Sequence, residues 1–462
     1  MQLLKAMYGT LTAALFWYDL FAGNLKEDGF SINQYDQCVA NKLVNGHQLT
    51  ICWYVDDLKI SHKDPDVVTQ TIKMLEKKFG SMSTTRGKKH TYLGMDFEVK
   101  NGEVTIMMKQ YMEECIKSFG EAISSPATTP STKSLMEVND KAIKLDERRQ
   151  RIFHHIVQKM LHVCKRTRLD LQVTVGFLCT RVRCPTEQDW AKLRRMLQYV
   201  FGTLDMPRVI SIENFDKMDI FIDAAHGTHW DMRGQTGGCM RFDKGVIHCR
   251  TNKQNLNSKS STETELIGNS DYLPYSIWII YFFENQGYQI GEKLLHQDNQ
   301  STMRMLKNGK KSCGKQSRHI NLRMFWTTDK LRELEISVVH CRTELMLGDF
   351  FTKPLQGNLF RRMRDVILGL GTYDELMVQH ERNRRKEPTE SKGEMKNNKC
   401  NQECNKPTKI LMTNRKERVG IMKKRVSFGD SVKSAAKTIK GRSRSYVEVV
   451  RRNLRRNNHS KE

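Results

Sequence analysis

The chain has 462 residues with a formal net charge of +25, long enough for two or three domains with buried cores and so no small module held together by disulfides or a metal. Its 12 cysteines are scattered, and the close pair Cys400 and Cys404 has no Cys or His partner nearby in sequence; this excludes a disulfide framework or zinc site and fits a reducing, intracellular setting. No stretch reads as a signal peptide, and the apolar run Ser276 to Phe283 is too short to span a bilayer, so the expectation is a soluble chain without a membrane partner whose basic excess meets a polyanion.

Apolar residues recur every three to four positions from Leu11 to Leu25, which predicts an amphipathic helix entering just after Gly9. A short strand signal follows at Asp36-Gln37-Cys38-Val39. Gln48 to Lys63 then reads QLTICWYVDDLKISHK, two alternating strands with Ile51, Trp53 and Val55 on one face, Leu58 and Ile60 on one face of the return, and Asp56 and Asp57 at the reversal. Two carboxylates a few ångström apart repel unless a divalent cation neutralises them, so this acidic tip is a candidate metal site. Pro65 to Lys78 reads as a second helix, Lys88 to Val99 as a strand pair, and Lys109 to Phe119 as a third helix. Pro126 to Lys144, rich in Ser, Thr and Pro, reads as a linker. Residues 148 to 204 are helical, with a start signal at Pro185-Thr186-Glu187 ahead of Trp190, Leu193, Met196, Leu197 and Val200. His154, His155 and His162 have no acidic or cysteine ligand at metal spacing and read as a solvated face.

A second set of acids lies further on. DIFIDAAHG, from Asp219, is a strand with Ile220 and Ile222 on one face and Asp219, Phe221 and Asp223 on the other, Asp223 near its end. SSTETELIGNSDYLPYSIWIIYFF opens on a capping-box spacing, Ser260 to Glu263, with an apolar stripe through Leu266, Leu273, Ile277 and Ile280. Glu263 is then the cap partner, and Glu265 the inward-facing acid. Asp298 ends a strand that includes Lys293 to His296, before a helical run with Met303 and Leu306, and Asp349 sits near a helix start. These four acids are separated by 42, 33 and 51 residues, so only their strand-end and helix-start settings, where α/β domains place their sites, bring them together.

Tyr54-Val55-Asp56-Asp57 in its strand-turn-strand setting resembles the YxDD palm motif of reverse transcriptases, and its surroundings are similar to the Ty1/copia class of retrotransposon polyproteins. Thr12 stands where that family has a Gln beside the incoming nucleotide. The resemblance implies that Asp56 and Asp57 are catalytic, metal-binding carboxylates. The family's third carboxylate lies upstream of the opening helix, so the expectation is a partial palm and thumb that does not polymerise alone. TELIG resembles the TELxA string of ribonuclease H domains, and SSTETE, QDNQS, SRHINLR and GDFFTKPL follow in the family's order between Asp219 and Leu355. This implies that Asp223, Glu265, Asp298 and Asp349 are catalytic ligands of Mg²⁺ (or Mn²⁺). Two ions ~4 Å apart, with Asp223 bridging them, would activate a water at an RNA phosphodiester. Arg318, His319 and Arg323 would bind the nucleic-acid backbone. His340 is either an aid to product release or a plain buried or surface histidine.

From Glu381 onward the chain holds 25 basic and 9 acidic residues with few aromatics, which reads as a disordered tail with salt-dependent affinity for nucleic acid. Within it Lys424-Arg425-Val426-Ser427-Phe428 resembles the docking motif for protein phosphatase type 1. The expected fold class is multi-domain α+β and α/β: a partial reverse transcriptase over 1–125, a linker and helical connection over 126–215, a ribonuclease H-like mixed sheet with helices over 216–370 and a basic, largely disordered tail over 371–462. The expected partners are RNA/DNA hybrid, primer-template and other Pol or Gag products, in cytoplasmic particles or the nucleus. The alternative is a non-catalytic nucleic-acid-binding or assembly protein derived from a retroelement.

Overall fold

The computed structural model describes residues 10–309 and 318–386. Helix α1 (Leu11–Glu27) begins at Thr10, whose hydroxyl accepts from the Ala13 N–H at 3.2 Å, satisfying one of the open donors of the first turn. Strands β1 (Ser31–Ile32), β2 (Val39–Val44), β3 (His47–Tyr54) and β4 (Asp57–Ser61) form an antiparallel sheet in chain order. Helix α2 (Pro65–Phe79) follows, capped by Asp64 with Pro65 in the first turn, where its missing N–H costs nothing. Phe21, Leu25, Ile51, Trp53, Val67 and Leu75 bury together as the core of this unit.

The hairpin differs from the sequence expectation at one residue. Val55 does not continue the buried face of Ile51 and Trp53; it is exposed, with φ of 57°. Tyr54 pairs with Asp57, so the reversal is Val55-Asp56 and Asp57 already belongs to β4. A two-residue hairpin loop of matching twist needs left-handed backbone, even from a β-branched residue.

Strands β5 (Lys89–Tyr92), β6 (Met95–Lys100) and β7 (Glu103–Met107) lead into helix α3 (Lys109–Ser118), and α4 (Glu147–Cys164), α5 (Gln172–Cys179) and α6 (Glu187–Phe201) follow. Thr186 and Asp189 close a reciprocal capping box at the start of α6. Strand β8 (Arg208–Ile210) returns to pair with β7 and complete a second antiparallel sheet. Between α3 and α4, the expected linker has neither helix nor extended ladder, yet Thr129, Ser131, Leu135 and Met136 are buried, so it is a packed strap and not a free spacer.

The third sheet begins with β9 (Lys217–Ala225), β10 (Gln235–Arg241) and β11 (Val246–Lys253). Helix α7 (Ser261–Asn285), β12 (Glu292–Gln297), α8 (Gln300–Asn308), α9 (Arg318–Glu333) and β13 (Ile336–His340) follow. Its order is β11-β10-β9-β12-β13, antiparallel on the β11 side and parallel from β9 to β13. Met218, Ile220 and Ile222 pack with Leu266, Leu273 and Ile280 of α7. From the other face Phe221 and Cys239 join a core shared with Met112, Phe153, Leu193 and Val200 of the helical segment. That continuous core spans 125–126 and 215–216, where the sequence reading sets boundaries. Helices α10 (Gly357–Ile367) and α11 (Tyr373–Lys386) close the described chain. The expected tail boundary at 371 puts α11 in the largely disordered tail, but its Tyr373 and Leu376 are buried in the shared core. The rest of the tail, with the Arg425–Phe428 motif, lies outside the described residues.

The first sheet also rests on the far end of α7. Asn33 Nδ2 donates to the Phe282 carbonyl at 3.3 Å, the Gln34 N–H to Asn285 Oδ1 at 3.0 Å, and Trp278 Nε1 to the Tyr35 carbonyl at 2.9 Å. The Tyr35 and Tyr281 rings stack at 5.1 Å. Among the described residues no helix is long and apolar enough to cross a membrane.

Candidate functional site

Asp223 lies near the C-terminal end of β9, in the middle of the third sheet. Parallel pairing aligns Phe221 with His296, which brings Asp298, just past the end of β12, level with Asp223 two residues on. Glu265 comes from the opening of α7. The Ser260 hydroxyl accepts from the Glu263 N–H at 3.2 Å, and the Glu263 carboxylate accepts from the Lys259 N–H at 2.7 Å. Glu263 is thus occupied with capping, one residue earlier than a strict capping box, and Glu265 is left to face inward, 5% exposed. One oxygen from each of Asp223, Glu265 and Asp298 lies within 4.8 Å of the others.

Asp349 arrives from a short 3-10 turn, Leu347–Phe351. Close approach depends on Gly348: a Cβ there would meet the Asp223 Cβ at 2.8 Å and its backbone nitrogen at 2.9 Å, too near for any side chain. Asp349 lies outside that three-acid set but reaches the Asp223 side chain. Lys353 Nζ sits 2.7 Å from Asp349 Oδ1 and 3.7 Å from Asp223 Oδ2, while the Thr352 hydroxyl donates to Asp223 Oδ2.

Crowding of carboxylates shows in their acidities. Burial, then the charges of Asp223 and Asp298, hold Glu265 well above the ordinary carboxylate range. Burial and Asp223 likewise raise Asp298 and push Asp349 up to about 8, against the opposing pull of Lys353. Gln297 Nε2 donates to Glu265 Oε2 at 3.3 Å and orients that side chain. An all-oxygen donor set, buried and mutually repelling, suits a hard divalent cation such as Mg²⁺ or Mn²⁺.

The hairpin tip is different. Asp56 and Asp57 are both exposed, and among the described residues no third carboxylate joins them in a ligand set. The tip is held to α1 by Trp17, whose Nε1 donates to the Val55 carbonyl at 2.6 Å. Of the backbone-binding candidates, Arg323 pairs with Asp271 of α7 at 3.4 Å, and the side chains of Arg318 and His319 lie outside those described. His340 lines a separate cleft of about 860 Å³ with Asp219 and His296. Sequence reasoning missed Thr352, Lys353, Gln297 and Gly348. The signal for Lys353 is a basic residue one helical turn after Asp349.

Residues 1–133 match the family model described as reverse transcriptase (RNA-dependent DNA polymerase). The chain is 23% identical over 375 residues to the Retrovirus-related Pol polyprotein from transposon TNT 1-94 of Nicotiana tabacum, covering 79% of this chain and 28% of that one. It is 22% identical over 381 residues to the Transposon Ty1-BR Gag-Pol polyprotein of Saccharomyces cerevisiae, covering 78% and 21%, and 22% identical to the Truncated transposon Ty1-A Gag-Pol polyprotein of the same organism, covering 78% and 31%. The chain thus spans between a fifth and a third of the length of these relatives. Most of its own length aligns with them, the hairpin lies within the residues that match the reverse-transcriptase family model, and the chain is similar to part of the Ty1/copia-type retrotransposon Pol polyproteins.

Proposed function

We propose that the four-acid site is a ribonuclease H centre that hydrolyses the RNA strand of an RNA/DNA hybrid, and that the first sheet with α1, α2 and α3 is a partial reverse-transcriptase palm and thumb. The observation that carries the reading is the convergence of Asp223, Glu265 and Asp298 within 4.8 Å at the strand ends of a mixed sheet, with Asp349 against them. Bound Mg²⁺ or Mn²⁺ would lower the pKa of a water and stabilise the leaving oxygen. Asp223, Glu265 and Asp298 would hold it, Gln297 orients Glu265, and Gly348 lets Asp349 and Lys353 close the wall. Specificity for RNA would come from contacts to 2′-hydroxyls, with little sequence preference.

Polymerisation by this chain alone is not part of the proposal. The acids Asp56 and Asp57 have no third carboxylate beside them among the described residues, and Thr12 replaces the family's Gln. Primer-template, other Pol or Gag products, and an intracellular place in particles or the nucleus remain part of the proposed setting.

The deciding assay is cleavage of a labelled RNA/DNA hybrid by the purified chain with Mg²⁺ or Mn²⁺ and with chelator. Metal-dependent release of RNA fragments is expected. A well-folded chain that binds the hybrid without cutting it would overturn the reading in favour of a non-catalytic nucleic-acid-binding protein.

A further inference from the structure

Four carboxylates converge on the site, yet they are not equivalent. Three of them, Asp223, Glu265 and Asp298, each offer an oxygen to one small volume. The fourth, Asp349, has its Oδ1 taken by Lys353 Nζ at 2.7 Å. Asp223 Oδ2 is engaged from the same turn: the Thr352 hydroxyl donates to it and Lys353 Nζ lies 3.7 Å away. The geometry is fixed by the chain itself. Thr352 and Lys353 follow Asp349 in the same turn, whose backbone closes through the Thr352 and Lys353 N–H groups on the Asp349 carbonyl at 3.2 and 3.0 Å. The ammonium therefore cannot leave without rotating its own side chain into solvent.

We propose that Lys353 is a built-in cation of this site: it occupies the position between Asp349 and Asp223 and leaves a single high-affinity divalent position, formed by Asp223, Glu265 and Asp298. This rests on the metal-dependent reading above and deepens it. Formal charge points the same way. Four carboxylates and one ammonium sum to three minus; one divalent ion leaves one minus, and a second would leave one plus in a pocket where Asp223 and Asp349 are buried. A second ion must displace Lys353 first, so it binds more weakly than the first. Lys353 is a positioning residue in this scheme: it holds Asp349 against Asp223 and sets the number of tightly held ions.

The side chain of Lys353 is 42% exposed, so it can be replaced without opening a core. The test counts Mn²⁺ bound to the full chain by calorimetry and by electron paramagnetic resonance of free and bound metal, for the parent, Lys353→Met and Lys353→Arg. Asp223→Asn serves to subtract ions held elsewhere. The parent should bind one Mn²⁺ tightly at this site and a second at least tenfold more weakly. Lys353→Met should tighten the second site by tenfold or more and give the spin-coupled signal of a close Mn²⁺ pair, and Lys353→Arg, which keeps the charge, should return the stoichiometry to one. Two equally tight ions in the parent, or an unchanged count in Lys353→Met, would overturn the assignment of Lys353. Absence of any Asp223-dependent Mn²⁺ in all variants would instead remove the metal reading itself, and this inference with it.

Discussion

The hairpin tip and the third sheet both gather aspartates, but by opposite routes. Asp56 and Asp57 are neighbours in sequence and stay exposed at a turn, where water screens each of them. Asp223, Glu265, Asp298 and Asp349 are far apart in sequence and are brought together in the interior, where burial and mutual repulsion raise Glu265, Asp298 and Asp349 above the ordinary carboxylate range. Closeness in sequence is thus a poor guide to which acids need a counter-charge. Removal from water is the better guide, because an unpaired buried charge carries the larger penalty.

The sharpest way to break this comparison is Asp298→Asn, which keeps shape while removing one charge. Hybrid cleavage should fall on the order of a hundredfold or more, whereas Glu263→Gln, Asp56→Asn and Asp57→Asn should leave it nearly intact. Equal losses in Asp298→Asn and Glu263→Gln would reverse the roles given to the acids of α7.

Metal-linked stability is the next measure. At a free Mn²⁺ concentration about a hundred times Kd, binding to the folded state alone stabilises it by about 2.7 kcal/mol. Thermal unfolding should register that gain in the parent and in an Asp56→Asn/Asp57→Asn double variant. It should vanish in Asp223→Asn, and persistence there would place the ion at the hairpin instead.

Acidity distinguishes the third sheet from the tip in another way. His248 hydrogen-bonds Tyr272 and stacks on Tyr275, and burial, with Arg250 and Arg208 adding to it, pushes it down to about 4. Its folded value lies below its unfolded one, so between about 4 and 6.5 the unfolded chain binds more protons. The stability is present above that window and is lost as pH falls through it, by roughly 3 kcal/mol at most. Urea midpoints at pH 7 and 4.5 should differ less in His248→Gln than in the parent. An identical drop in both would put the titrating group elsewhere.

The smallest effects concern the hairpin and the tail. Primed RNA template should not be extended by this chain alone, and robust extension would make the exposed pair a working centre. Removal of 387–462 should weaken hybrid binding mostly at low salt and flatten its salt dependence; an unchanged slope would rule out the tail as a phosphate contact.

Much of the site is legible in the sequence because its acids sit at strand ends and at a capped helix start, positions that local pattern marks. Glu265 is separable from Glu263 on capping grounds alone. The partners of those acids are not so marked: Lys353 matters only because the turn at Gly348 presses against β9, a tertiary fact. Alternation carries Val55 onto the buried face, but the turn needs its left-handed φ, and local periodicity has no term for that. Strand β10, QTGGCMR, escapes a strand reading because it has a single β-branched residue, Thr236, followed by two glycines. Its glycines are demanded by neighbours: a Cβ on Gly237 would meet the Phe351 backbone at 2.7 Å and one on Gly238 the Tyr272 ring at 2.5 Å. The three residues of β8 are too few to carry a period, and the buried strap over 126–144 is polar enough to read as a spacer.

Helix α7 carries Glu265 in its opening turns and, at its other end, the footing of Asn33, Gln34 and Tyr35 from the first sheet. From Glu265 to Asn285 the helix spans about 30 Å at 1.5 Å per residue. It is a ruler built into the molecule, marking a fixed interval between the acid-bearing end of the third sheet and the anchorage of the hairpin unit. A register change anywhere along it, such as one residue inserted after Pro274, would swing that anchorage by about 100° while leaving every ligand in place. Binding of a long substrate and cleavage of a short one would then part company.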